Sequence, residues 1–295
     1  MKYLHLTLAI TLALVVGAVP TYAATSTVED ATVNLYCRLT VGKKIFGTSG
    51  SGVFVSDRGI ILTNAHVAQY FLMPGDKSRV KGECHVRTGS PAESTYTAEV
   101  MYFPSTWIDA NLEALKQKVP KGSGEGDFAL LRITGVKEGT MPERFPSLPL
   151  SFFGVAEGEL VTVAGYPTDG RNFAELQNEL DRIVTTTTVS NVRTFSLAGA
   201  DLLTLASSTA AGAGVSGGPV VRADGTLTGI VVAKSATTLR AITPLHINNR
   251  LVADTGVSLP GMFFGDLAAR AAGNLLLLDP KDLAALRQAF VKRNR

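Results

Sequence analysis

Gly50–Val67 reads GSGVFVSDRGIILTNAHV. Two apolar runs, Gly52–Ser56 and Ile60–Asn64, flank Ser56-Asp57-Arg58-Gly59, and the glycine stands where a tight turn needs positive φ. That pattern predicts a β-hairpin. Outward from it, the chain repeats the same grammar of short alternating runs cut by Gly, Pro, Asp and Ser. They fall at Thr32–Thr40, Val80–Thr88, Thr97–Phe103, Phe128–Ile133, Leu160–Ala164, Thr185–Val192, Leu202–Ala206, Pro219–Arg222 and Leu227–Val232. A second turn signal, Asp224-Gly225, separates the last two. Such spacing argues an all-β sandwich or barrel rather than alternating strand and helix units.

Helical period is confined to three places. Trp107–Val119 aligns Ile108, Leu112, Leu115 and Val119 and stops at Pro120; Phe173, Leu176, Leu180 and Ile183 suggest a second, shorter helix. Asp279-Pro280 starts a C-terminal helix with Leu283, Leu286 and Phe290 on one side and Lys292, Arg293 and Arg295 at its end. Ordinary packing of an amphipathic face accounts for all three. Val136–Leu150, with three prolines and little period, reads as a linker between two β units.

Of 295 residues 45% are hydrophobic and only 18% charged, which excludes a disordered or charge-driven chain. A net charge of +3, spread along the chain, is not a nucleic-acid footprint. Lys2, the apolar Leu6–Val19 and the Thr21-Tyr22-Ala23 ending form a leader pattern, so residues 1–23 are read as a signal peptide cut after Ala23 and the protein as exported, periplasmic or secreted. The competing reading is an uncleaved anchor over Tyr3–Ala24, the one route by which a membrane would be a partner. Cys37 and Cys84 each lie on the apolar face of an alternating run, and either a bridge or two buried thiols fits the sequence. Cys84-His85 is not a metal signal, because strand neighbours point to opposite faces. No metal or other cofactor is expected.

Three segments carry chemistry: the run ending Thr63-Asn64-Ala65-His66-Val67, then Gly126-Asp127-Phe128-Ala129-Leu130-Leu131, then Gly212-Ala213-Gly214-Val215-Ser216-Gly217-Gly218-Pro219-Val220. A serine hydroxyl is a poor nucleophile at neutral pH and needs a base to take its proton. Histidine suits that task, and a buried carboxylate fixes its tautomer. Glycines beside the serine permit a tight turn whose N–H groups converge on one small space, where an oxyanion can be held. Each segment alone has a bland reading as a core histidine, a turn aspartate or a glycine turn. Their order, each beside a β run, is what speaks for catalysis.

With these segments the chain resembles the trypsin/chymotrypsin-like serine peptidases, especially the bacterial exported, HtrA-like type. TNAHV around His66, GDFALL around Asp127 and GVSGGPV around Ser216 are similar to that family's signature segments, and Ala164-Gly165-Tyr166-Pro167 to a strand end of its second barrel. The resemblance implies a chymotrypsin-like fold of two antiparallel β-barrels, here with a few short helices and a C-terminal helix. It implies His66 as general base, Asp127 as orienting acid, Ser216 as nucleophile, the N–H groups of Gly214 and Ser216 as oxyanion hole, and protein or peptide substrates. The expected layout is a first barrel over 24–135, the linker over 136–150, a second barrel over 151–255 and an extension over 256–295, too short for the PDZ module of HtrA-type relatives. Ala210, Ala211, Val232, Ala233 and Lys234 fall at the family's pocket positions, and without an acidic base they imply a small or medium apolar preference. Val215 stands where the family usually has Asp or Asn, so an activation switch built on a new amine terminus is not expected. Two other readings fit parts of the pattern: a catalytically idle binding module on the same fold, and an α/β-hydrolase esterase suggested by Gly214-Val215-Ser216-Gly217-Gly218. The esterase reading fails on order, since that fold places its acid and histidine after the serine.

Overall fold

The computed structural model describes residues 26–75, 79–115, 124–195, 199–206, 212–234, 238–264 and 278–294. The expected signal peptide and the pocket positions Ala210 and Ala211 lie outside them. Twelve described strands close into two antiparallel barrels. The first takes β1 (Thr32–Val41), β2 (Lys44–Ser56), β3 (Ile60–Thr63), β4 (Val80–Thr88), β5 (Glu93–Tyr102) and β6 (Ala129–Val136), in the order β1-β2-β3-β6-β5-β4. The second takes β7 (Leu160–Gly165), β8 (Ile183–Arg193), β9 (Leu202–Leu205), β10 (Pro219–Arg222), β11 (Leu227–Lys234) and β12 (Leu239–Ile242), in the order β10-β11-β12-β9-β8-β7. The expected all-β, two-barrel architecture is the observed one.

The hairpin that opened the reading joins β2 to β3. Gly59 adopts φ 80°, its N–H donates to Ser56 C=O, and a Cβ there would lie 2.9 Å from the Phe145 ring. β3 and the half of β2 from Gly50 to Ser56 are buried on two faces, which explains why they read as continuous apolar runs. Phe54 and Ile61 point into the first barrel, whereas Val53, Val55, Ile60 and Leu62 point out of it against Leu227, Ile230 and Ile242 of the second. β6 divides the same way, Leu131 and Ile133 inward, Leu130 outward. The outward set welds the barrels together. Truncating one such leucine to alanine typically costs about 2–5 kcal/mol.

A disulfide joins Cys37 to Cys84, directly opposed partners on β1 and β4. It closes a separation of 47 residues, worth about 4 kcal/mol in the chain-entropy account.

Among the helices, α1 (Val28–Ala31) and α2 (Ala65–Ala68) are single turns, and α2 runs into a 3₁₀ turn over Gln69–Leu72. α3 (Ser105–Leu115) begins two residues before the expected Trp107, and the expected end at Val119 falls outside the described residues. α4 (Phe173–Asn178) is shorter than the apolar spacing suggested. Asn172 and Glu175 form a capping box that starts it, while Ile183 belongs to β8. α5 (Pro244–Thr255) is capped by Thr243 and stopped by Gly256 at φ 73°; α6 spans residues 259–264. α7 (Pro280–Asn294) matches the expected C-terminal helix. It packs Phe290 against Phe46 and Tyr70, and Arg287 donates to Leu72 C=O and Pro74 C=O, which ties it to the first barrel beside α2.

Candidate active site

His66 lies on α2, three residues past the end of β3. Asn64 precedes that helix in N-cap position, yet its Nδ2 donates to Asp127 C=O at 2.9 Å, so the helix start is bolted to the strand that carries the carboxylate. Asp127 lies two residues before β6, the neighbour of β3 in the barrel. Its Oδ1 accepts the His66 backbone N–H at 2.9 Å and its Oδ2 accepts the imidazole Nδ1–H at 2.6 Å. A proton held at Nδ1 leaves Nε2 with its lone pair available as a base. The His66 side chain is 34% exposed and that of Asp127 10%, so the imidazole can reach a substrate and the carboxylate stays sheltered.

Burial alone disfavours the charged imidazole of His66. The charge of Asp127 and its hydrogen bond outweigh that, and the pKa ends above the ordinary 6.5.

Ser216 sits in the turn before β10, in the opposite barrel. Gly214 and Gly217 take φ 89° and 84°, and close approach forbids a side chain at either: a Cβ on Gly214 would lie 2.4 Å from Tyr166 C=O, one on Gly217 2.1 Å from Ser51 C=O. Val215, between them, turns inward and packs at 1% exposure with Val163, Val220 and Val231 in the second barrel's core. Ala213 C=O accepts the Thr168 N–H at 2.7 Å, and Val215 C=O accepts the Gly218 N–H at 2.8 Å. In a trans peptide the N–H points opposite to its C=O. The N–H groups of Gly214 and Ser216 are therefore both turned away from those donors, and among the described residues neither meets a protein acceptor.

One cavity of about 440 Å³ collects these parts, lined by Cys37, His66 and Tyr70 from the first barrel and by Gly214 and Ser216 from the second. His66 and Ser216 thus share a chamber between the barrels, though no direct hydrogen bond joins them. Such bonds are often long without substrate and tighten in the complex. Of the expected pocket wall, Val232 is buried in the cluster between the barrels, and it is Val231 that lines the cavity. Ala233 and Lys234 continue β11, with side chains outside the described residues. Among the described residues no group of three or more His, Cys, Asp or Glu is placed to hold a metal ion.

Three contributors carry no role in the sequence reading: Asn64, Ser51 and the Thr168-Asp169 pair. Asp169 Oδ2 accepts the Ala213 N–H at 2.7 Å. The loop bearing it is anchored in turn by the fully buried Arg87, which donates to Leu176 C=O and Gln177 C=O at the end of α4. Ser51 lay within a quoted motif and Thr168-Asp169 directly follow another, so proximity to a motif was the available signal.

The sequence model of the trypsin-like peptidase domain family matches residues 50–230. The chain belongs to that family. The matched span of this trypsin-like peptidase domain contains His66, Asp127 and Ser216. Serine proteases HTRA1A and HTRA1B of Danio rerio are each 28% identical to it, over 200 and 199 residues, or 67% of this chain. The chain spans 33% of the length of either relative. Among solved structures it is similar to the Rv3671c protease from M. tuberculosis in its active form (TM-score 0.48, 18% identity, 77% of this chain and 82% of that one). An inactive mutant form of the same protein gives a TM-score of 0.47 at 17% identity, covering 78% of this chain and 88% of that one.

Proposed function

We propose that the protein is an exported serine endopeptidase in which Ser216 is the nucleophile, His66 the general base and Asp127 its orienting acid. Ser216 Oγ attacks the carbonyl carbon of a peptide bond as His66 Nε2 takes the hydroxyl proton. The Gly214 and Ser216 N–H groups receive the oxyanion. The imidazolium returns its proton to the leaving amine as the acyl-enzyme forms, and a water activated by the same base then releases the new carboxylate. The observation that carries this reading is the 2.6 Å Nδ1–Asp127 bond, which leaves Nε2 basic on the cavity that Ser216 also lines. The inward packing of Val215 removes the main argument for an idle module, since the turn holds its shape without a polar residue there.

The substrate pocket is assigned to Ala210, Ala211, Ala233 and Lys234 beside Val231, a lining without a carboxylate, which favours small or medium apolar side chains over Lys or Arg. The leader pattern of residues 1–23 and the Cys37–Cys84 bridge both fit an oxidising compartment outside the cytosol. Covalent labelling by a fluorophosphonate probe tests the reaction. The native protein should be labelled and cleave peptides, while Ser216→Ala should lose the label and at least ~10⁴-fold in kcat. Equal turnover by the two proteins overturns the proposal.

A further inference from the structure

The turn that carries Ser216 is rich in glycine and has no intrinsic stiffness, so something outside it must hold its peptide planes. Its four successive carbonyls are all taken. Ala213 C=O accepts from the Thr168 N–H and Val215 C=O from the Gly218 N–H, as above. The other two are held by one residue of the other barrel. The Ser51 hydroxyl donates to Gly214 C=O at 2.7 Å, and the Ser51 N–H donates to Ser216 C=O at 2.8 Å.

Ser51 is completely buried on β2, and every polar group it has is committed. Its Oγ accepts the Tyr166 N–H at 2.9 Å, which leaves the hydroxyl proton for Gly214 C=O, and its own C=O accepts the Thr63 hydroxyl at 2.7 Å. The approach is so close that glycine is required opposite it at Gly217. Release of Gly214 C=O would free the plane between Gly214 and Val215. That plane joins the two that carry the Gly214 and Ser216 N–H groups, so its rotation, which no Cβ at Gly214 opposes, would loosen their setting against one another.

We infer that Ser51 is a positioning residue: its side-chain hydroxyl holds the nucleophile turn of the second barrel in the shape that presents the Gly214 and Ser216 N–H groups to the oxyanion. This rests on the peptidase reading above. It supplies, with a neutral hydroxyl, the restraint that Val215 cannot supply as a charged side chain.

The test compares full-length Ser51→Ala and Ser51→Cys with the native chain, measuring kcat and KM on a peptide substrate, inhibition by a peptide boronate, and the pH profile. Because the restraint matters when the oxyanion forms, Ser51→Ala should lower kcat roughly 10- to 100-fold, short of the ~10²–10³ lost with an oxyanion donor itself. KM should stay within about threefold, the signature of an interaction realised in the transition state. Boronate affinity should fall in step with kcat, and the acid limb of the pH profile should not move. Ser51→Cys, similar in shape but a weaker donor, should fall between the two, and it carries the test if Ser51→Ala does not fold. Native kcat in either folded variant overturns the inference, as does a loss that raises KM and leaves kcat and boronate affinity unchanged. A native chain that neither cleaves peptides nor takes up a fluorophosphonate overturns the functional reading itself, and this one with it.

Discussion

The two halves of the site are held by different physics. His66 and Asp127 belong to one barrel and are joined by a charge-assisted bond, the one just after β3 and the other just before β6, strands that are direct neighbours. The Ser216 turn is held by neutral hydrogen bonds that cross from β2 and from the loop after β7, together with one carboxylate contact at Ala213. A charged pair responds to pH and to removal of either charge, whereas a set of neutral bonds and close backbone contacts responds to shape. The difference teaches where each half is vulnerable.

Asp127→Asn strikes the charged half and should have the largest effect, a loss of about 10⁴-fold in kcat from a misoriented base. The pH dependence sharpens it. In the native protein the raised His66 pKa places the acid limb of kcat/KM above pH 6.5. In Asp127→Asn the burial that disfavours imidazolium acts unopposed, and the limb should move below 6.5. The same sign governs stability. What the His66–Asp127 pair contributes is fully present below pH 6.5 and is lost as pH rises through the raised folded-state value. A limb that stays in place in Asp127→Asn breaks the comparison.

Gly217→Ala strikes the neutral half. Its Cβ would lie 2.1 Å from Ser51 C=O at a φ of 84°, so both strain and a backbone collision oppose it. Thermal unfolding should register roughly 2–4 kcal/mol, on the order of 5–15 °C in Tm, with no pH signature. A smaller loss would mean that the barrels give way more easily than the contacts around Ser51 imply. The smallest effect belongs to the amine end. With the leader cut after Ala23 as the proposed function has it, extending the chain ahead of residue 24 by a few residues should leave kcat within about threefold, far from the ~10²–10³ of a lost oxyanion donor. Activity that depends on that first residue would show a charged restraint on the Ser216 turn after all.

Much of this was legible in the residues because its causes are local. The hairpin at Gly59, the strand at Val80–Thr88 and the segments around His66, Asp127 and Ser216 each depend on neighbours a few positions away. α5 escaped notice although Thr243-Pro244 and Gly256 mark its ends, because the buried stripe runs through His246 and so lacks a clean apolar period. β12 is four residues long with an exposed arginine inside it, too little for a pattern. The Ser51 contact spans 163 positions, and the Cys37–Cys84 pairing depends on the register between β1 and β4. Neither distance nor register between remote strands is written in local sequence.

The Cys37–Cys84 bridge has one more consequence. His66 lies inside the ring of covalent bonds that it closes. A peptidase lives among molecules able to digest it, its own copies included. A single cut anywhere between Cys37 and Cys84 opens that ring without detaching a fragment, and the nicked ends stay tethered to the strands on either side. On the function proposed above, the segment that carries His66 would therefore stay attached after a first round of self-digestion, and its release would need a second cut or a reductant.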